Sequence, residues 1–294
     1  MKNILTIFTP TYNRCEKIKE LYVSLANQTN KNFTWLIIDD GSTDDTANLV
    51  KLIKEDNILD IKYVYKENGG KHTAYNLACE LVATELMFVA MDSDDLLKRN
   101  AVEKIYECWE LKANQDIEGL VFLCENKNGE FLYSTYDEAK LRNPVSWQEA
   151  YQNNWFWGEA EYILRTEYVK RYKYPEYKNE KFFNEAYTYM QMNRPLVWNK
   201  ESIYIRDYQQ DGYTKNFLSI IIKSPLGYSD YNYLKYKYSS NLLVKIKTVL
   251  FYNTFSLLEK KEGIIKQSPC LFLSVLLMLP SFILSIGLRF IERR

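Results

Sequence analysis

Asp92-Ser93-Asp94 puts two carboxylates one residue apart, directly after the apolar run Leu86–Met91. Hard oxygen ligands at that spacing suit Mg²⁺ or Mn²⁺, with the oxygens of a diphosphate completing the shell. By itself the triplet also reads as an acidic turn, with Asp95 placed to cap a helix starting near Asn100. Three earlier clusters share its form. Ile4–Phe8 runs into Thr9-Pro10-Thr11-Tyr12-Asn13, Trp35–Ile38 into Asp39-Asp40-Gly41-Ser42, and Ile61–Tyr65 into Asn68-Gly69-Gly70-Lys71. Each is a short strand-like run ending in polar, turn-forming residues.

Helical patterns separate the four runs. Ser42 followed by Asp44 and Asp45 reads as a helix cap with an acidic first turn, and Ala47, Leu49, Val50 and Ile53 follow at helical spacing. Ala74, Leu77, Ala78, Leu81 and Val82 repeat that spacing after Gly70-Lys71. The order β-α-β-α-β-α-β predicts an α/β fold with a mostly parallel central sheet flanked by helices. Parallel strands point one way, so the four loops gather at one edge, where open α/β sheets take ligands. No G-x-G-x-x-G follows an early strand, which argues against dinucleotide redox chemistry.

Beyond residue 114 the pattern is less regular. It holds strand-like Gly119–Cys124, a hairpin turn at Asn128-Gly129, a helix from near Ser146 and the cluster Trp155-Phe156-Trp157. Residues 216–294 are predicted as a helical region. They are rich in Tyr and Lys, then strongly apolar, with no charged residue between Gln267 and Leu288. Lys245, Lys247, Lys260, Lys261 and Lys266 precede this run, Pro280 interrupts it, and Arg289, Arg293 and Arg294 follow. Segment 267–291 is therefore expected to associate with a membrane, as a hairpin or in-plane helix on an anionic cytoplasmic leaflet. A single C-terminal span is the rival reading, and a buried soluble helix pair the plainest alternative.

The 294 residues carry zero formal net charge, which argues against nucleic acid as a partner. Tyrosine is frequent, at 25 residues, and suits sugar rings and interfacial headgroups as well as ordinary cores. Cys15, Cys79, Cys108, Cys124 and Cys270 form no CxxC, and His72 is the single histidine, so an ordinary zinc site is excluded. Scattered thiols suit a reducing compartment. His72 reads as a loop donor or surface residue. The start, Met1-Lys2-Asn3, leads almost directly into a strand with no signal-peptide pattern, so the expectation is the cytoplasmic side.

ILTIFTPTYN (4–13), LIIDDGSTD (36–44), GGKHTAYNLA (69–78) and MDSDD (91–95) resemble, in order, the nucleotide-sugar half of family 2 glycosyltransferases, inverting enzymes of the GT-A fold. Glu180–Glu185 is similar to the family's acceptor-side acidic motif. Tyr208–Thr214 (YQQDGYT) is similar to the closing segment of bacterial capsule and cell-wall polysaccharide transferases. The resemblance implies a catalytic domain over 1–215, with a nucleotide-sugar half (1–114) and an acceptor half (115–215). It places Pro10, Thr11 and Tyr12 at the uridine, Asp40 on the uracil N–H, and Lys71 near the base or phosphates with Asn76 on the helix behind. Asp92 and Ser93 would lie at the ribose or a metal-bound water, and Asp94 on the metal. Asp211 stands where many relatives carry a metal-binding histidine, and it reads equally as a turn residue. Glu185 is the implied catalytic base, at the start of a helix-like run Glu185–Met192, with Glu159, Glu161 and Glu180 as rivals. Many relatives show Glu-Asp where this chain has Asn184-Glu185. Trp155, Trp157 and Arg165 would shape the acceptor groove.

The implied reaction is metal-dependent transfer of a sugar from a UDP-sugar to a hydroxyl of a glycan acceptor, of the hexosyltransferase type, in capsule or cell-wall polysaccharide synthesis. The apolar tail and family habit imply a lipid-linked acceptor at the cytoplasmic face of a bacterial membrane. A homo-oligomer is a further candidate partner. A nucleotidyltransferase of related fold and a catalytically inactive nucleotide-binding membrane scaffold are the alternatives.

Overall fold

The apolar runs before the four polar loops fold as strands β1 (Leu5–Thr11), β2 (Phe33–Asp39), β3 (Asp60–Tyr65) and β4 (Leu86–Phe88). Between them lie α1 (Cys15–Ala26), α2 (Thr46–Glu55) and α3 (Lys71–Leu81). The computed structural model describes residues 3–206 and 213–292. The chain divides into two compact units, one of Met1–Lys173 with Met192–Tyr208, the other of Tyr174–Gln191 with Gln209–Arg294.

The first unit continues through β5 (Leu96–Leu97), α4 (Ala101–Lys112), β6 (Gly119–Asn126), β7 (Tyr133–Tyr136), α5 (Glu138–Leu141), α6 (Trp147–Gln152), β8 (Phe156–Gly158), β9 (Ala160–Arg165), α7 (Thr166–Val169) and β10 (Leu196–Arg206). Eight strands form one sheet in the order β3-β2-β1-β4-β9-β6-β10-β5. β1 to β4, β6 and β10 share one direction, while β9 and β5 run against it. The chain moves from β1 outward through β2 and β3, then returns to place β4 on the other side of β1. That reversal opens a crevice beyond the carboxyl ends of β1 and β4.

β1 and β2 are buried along their whole length, so they read as unbroken apolar runs rather than as alternation. Their polar members find partners inside: the Trp35 indole N–H donates to Thr9 Oγ1 at 2.9 Å. β4 stops at Phe88, short of the predicted Met91. The chain there leaves the ladder to enter its turn, although the Met91 N–H still donates to Phe8 O at 2.8 Å. α1 buries Ile18, Leu21, Tyr22 and Leu25, one face at helical spacing. α3 is rotated from expectation. It buries Ala74, Tyr75, Ala78 and Cys79 and leaves Leu81 exposed, because the Tyr75 ring packs edge-on against Phe8.

β6 and β9 approach so closely that a Cβ on Gly119 would stand 2.2 Å from the Ile163 carbonyl oxygen. Gly129, at φ +81°, makes the predicted hairpin turn: Phe131 bridges antiparallel to Glu125 at the end of β6, and β7 beyond it then pairs with β8. Ser146 opens α6 with a reciprocal capping box to Glu149.

The second unit is helical: α8 (Ala186–Tyr189), α9 (Tyr213–Ile222), α10 (Pro225–Tyr238), α11 (Leu242–Leu258), α12 (Ile264–Gln267), α13 (Leu271–Leu276) and α14 (Met278–Glu292). The run expected from Glu185 to Met192 is only the single turn of α8. The Glu180 carboxylate accepts the Leu226 and Gly227 N–H groups at 2.7 and 2.8 Å, capping α10 just after its first-turn Pro225. Ile221, Ile222, Phe255 and Leu288 form a small core. Among the described residues, no helix is long and apolar enough to cross a membrane.

Candidate active site

The loops after β1 and β2 are latched together by Asn13. It takes the left-handed conformation (φ +51°), which asparagine tolerates well. Its side-chain oxygen accepts the Thr43 and Asp44 N–H groups at 2.7 and 3.3 Å, and its own N–H donates to Ser42 Oγ at 2.9 Å. Ser42 is therefore used across the loops and does not cap α2. Asp45 is the N-cap of α2 and makes no side-chain cap bond, while Asp44 before it accepts the Thr46 N–H at 3.1 Å. Pro10 and Thr11 end β1 in the interior, with the Thr11 hydroxyl buried and without a hydrogen-bond partner among the described residues, while Tyr12 is exposed. A buried orphan hydroxyl at a strand end calls for an outside partner.

The two aspartates after β2 divide their tasks. Asp39 holds the turn, accepting the Ser42 N–H at 2.7 Å and the Tyr63 O–H at 2.6 Å. Asp40 faces the loop after β3. Its Oδ1 accepts from Lys66 Nζ at 2.7 Å and from the Gly69 N–H at 2.9 Å, and its Oδ2 from the Gly70 N–H at 2.7 Å. A carboxylate can accept about four such bonds, so one position stays open to a ligand donor. Gly41 has φ +88°, and a Cβ there would lie 2.9 Å from Asn68 N, so glycine lets the two loops touch.

After β4 the residues Asp92-Ser93-Asp94-Asp95 are held by Lys71, Arg14 and Tyr204. Lys71 Nζ lies 2.5 Å from Asp92 Oδ1. Arg14 Nη1 lies 2.7 Å from Asp94 Oδ2 and 3.5 Å from Ser93 Oγ. Asp95 does not cap α4; its Oδ2 accepts the Tyr204 O–H at 2.8 Å, and that hydroxyl accepts the Asp92 N–H at 3.2 Å. Burial alone would raise the Asp92 pKa, but Lys71, Arg206 and Arg14 outweigh it and hold the carboxyl below its usual range.

Behind this turn, Arg206 at the end of β10 gathers three carboxylates. It bonds Glu159, meets Glu161 Oε1 at 2.9 Å, and lies 3.6 Å from Asp95 Oδ2. Three carboxylates around one guanidinium cannot all ionise cheaply in the interior. Burial pushes Glu161 up to about 8 against the opposing pull of Arg206. Glu159 also borders an open groove of about 520 Å³ whose walls include Phe131, Tyr133, Tyr151 and Trp157.

The structure thus brings Pro10, Thr11, Tyr12, Asp40, Lys71, Asp92, Ser93 and Asp94 to the ends of β1, β2 and β4 and the start of α3. Glu185 belongs to the second unit. It is exposed there, and its backbone carbonyl accepts the Thr188 hydroxyl at 2.9 Å. Asp211 lies outside the described residues. His72 is neither on a loop nor at the surface but buried in the first turn of α3. Arg165 braces the end of α4, donating to the Ala113 and Ile117 carbonyls at 2.5 and 3.0 Å. Sequence reasoning passed over Arg14, Lys66, Tyr204 and Arg206, the groups that hold the carboxylates. The signal was general: carboxylates crowded at one sheet edge require nearby cations.

Asp92 and Asp94 offer hard oxygens of the kind Mg²⁺ or Mn²⁺ takes, and no group of three or more His, Cys, Asp or Glu suited to a metal occurs among the described residues. A cation at Asp92 and Asp94 would need further oxygens, such as those of substrate phosphates, to complete its shell.

The profile of the family described as Glycosyl transferase family 2 matches residues 6–177, more than half of the chain. An uncharacterized glycosyltransferase of Rickettsia conorii is 40% identical over 100 residues, 34% of this chain and 16% of that protein. The poly(ribitol-phosphate) beta-N-acetylglucosaminyltransferase TarP of Staphylococcus aureus is 34% identical over 110 residues, 36% of this chain and 32% of its own. The chain therefore spans under a third of the length of these relatives. The crystal structure of S. aureus TarS 1-349 in complex with UDP-GlcNAc superposes with a TM-score of 0.60 at 18% identity, covering 96% of this chain and 89% of that one, a likeness of fold.

Proposed function

The chain belongs to glycosyl transferase family 2, and from that premise we propose that it moves a sugar from a UDP-sugar onto a hydroxyl of a cell-wall or capsule glycan, inverting the anomeric carbon. The observation that carries this reading is the Asp92-Ser93-Asp94 turn at the crevice between β1 and β4, with Lys71 and Arg14 against its carboxylates. Carboxylates and cations alternate there, as a diphosphate and its counter-ion require. The names of TarP and of the TarS complex support an N-acetylhexosamine or related UDP-sugar as donor.

Thr11, with its orphan hydroxyl, and Pro10 and Tyr12 receive the nucleoside, and Asp40 takes a base N–H at its open acceptor position. Asp94 would hold Mg²⁺ or Mn²⁺, with Asp92 at a metal-bound water or the ribose, and the ion would supply Lewis-acid stabilisation of the departing diphosphate. Lys71 and Arg14 exchange their carboxylate partners for phosphate oxygens and stabilise charge as it develops. Glu185 takes the proton from the attacking hydroxyl, which approaches opposite the leaving group. Asp211 is a candidate further oxygen ligand. Trp157 and its aromatic neighbours offer flat faces for acceptor sugar rings. The acceptor is lipid-linked and met at the cytoplasmic face of the membrane.

The test is a UDP-release screen over common UDP-sugars, with membrane extract as acceptor and EDTA as control. UDP release that stops on chelation supports the reading. Pyrophosphate release in its place would make the chain a nucleotidyltransferase, and tight UDP-sugar binding without any release would make it a scaffold.

A further inference from the structure

α13 and the greater part of α14 carry their polarity the wrong way round for helices in water. Hydroxyl and amide residues take inward positions on α11, α13 and α14, beside the apolar Val249, Tyr252, Phe255 and Leu288: Asn253, Thr254, Ser256, Ser274 and Ser281 are fully buried. They hold one another. Ser274 Oγ donates to Asn253 Oδ1 at 2.7 Å, Asn253 Nδ2 donates back to the Ser274 carbonyl at 3.0 Å, and Ser281 Oγ donates to Leu250 O at 3.1 Å. The outward stripe of α14 is Leu279, Phe282, Ile283, Ile286 and Phe290, all exposed. On α13 Leu271, Phe272, Val275 and Leu276 are exposed likewise, Phe272 by 73%. A helix in water buries its apolar stripe and solvates the polar one. Helices packed in lipid do the reverse. Lipid removes the hydrophobic drive between helices, so small residues and interhelical hydrogen bonds hold the interface.

The charge pattern names the lipid. Residues 245–294 contain eight Lys or Arg against three Glu, a net +5 in a chain whose total is zero. Lys247, Lys260 and Lys266 are exposed, beside an apolar run with no charge of its own. Such flanking cations are drawn to an anionic surface.

We propose that α13 and α14, packed on α11, sink their outer face into one leaflet of an anionic bilayer without crossing it. No described helix has the length and apolarity to cross. This anchoring goes beyond the transfer reaction and does not depend on it, since it needs only the second unit's own side chains.

The test is flotation of the full chain with phosphatidylcholine vesicles containing about a third phosphatidylglycerol, alongside sedimentation in lipid-free buffer. The wild type floats with these vesicles. The triple variant Phe272→Ser, Leu276→Ser, Phe282→Ser falls in bound fraction by on the order of tenfold while keeping its circular-dichroism melt, because it alters only exposed side chains. Lys260→Glu with Lys266→Glu, which touches no packed residue, lowers flotation as well. A wild type that stays with the lipid-free fractions, a triple variant that floats undiminished, or a discrete lipid-free dimer abolished by the triple variant would overturn the proposal; the last would assign the face to a second copy of the chain.

Discussion

Arg14 Nη1 stands 2.7 Å from Asp94 Oδ2, which ties the loop after β1 to the loop after β4 across the crevice. Both side chains keep some solvent contact, so the pair adds only about 0–1 kcal/mol to stability. Its value is positional: it sets a carboxylate and a guanidinium side by side where a diphosphate and its cation would lie. Asp94→Asn is expected to leave the melting temperature nearly unchanged and to lower UDP release by about two orders of magnitude. Wild-type turnover in that variant would remove Asp94 from metal binding.

Asp40 behaves differently because it is enclosed. It satisfies Lys66 and two loop N–H groups at once. Asp40→Ala leaves a cation and two donors without their acceptor, at a cost of about 2–3 kcal/mol in denaturant unfolding. Adding Lys66→Met recovers part of that loss, and UDP binding stays weak in both variants.

Glu185→Gln keeps the shape of the side chain but cannot take a proton. Donor binding by calorimetry persists, while transfer falls by roughly two orders of magnitude. Glu161→Gln is the contrasting variant. Glu161 holds its proton at neutral pH, since burial raises it to about 8. Glutamine imitates that protonated form, so transfer stays within a few-fold. The opposite ranking would move the base from Glu185 to Glu161.

Glu118, wholly buried, gives the fold a pH dependence. Burial pushes its carboxyl up to about 7, against weaker opposing bonds from Tyr172 and Arg194. The free chain ionises nearer 4.3. A raised folded value means the contribution is full below the unfolded pKa and is lost as pH rises through about 7. The loss is on the order of 3 kcal/mol. Urea titrations at pH 5 and pH 8 should show the wild type weakening, and Glu118→Gln should flatten that change.

The order of elements was legible because it is written locally. Short apolar runs, period-3.6 patterns and turn residues marked β1 to β4 and the helices between them, and parallel strands then put their loops at one edge. That is why the positions of Asp40, Asp92 and Asp94 could be read from the chain alone. Details that depend on neighbours could not. Asp95 was expected to cap a helix and instead meets Tyr204, 109 residues away. Ser42 serves Asn13, and Leu81 faces solvent because Tyr75 claims the inner position on α3.

The sequence by itself determined the element types, the sheet-edge cluster of carboxylates and the presence of a long uncharged apolar tail, since each rests on residues close together in the chain. Only the tertiary structure decided which cation holds which carboxylate, and which face of the tail turns inward. Both depend on which strand ends and helix faces become neighbours, and that is settled by packing over the whole unit rather than by any local pattern.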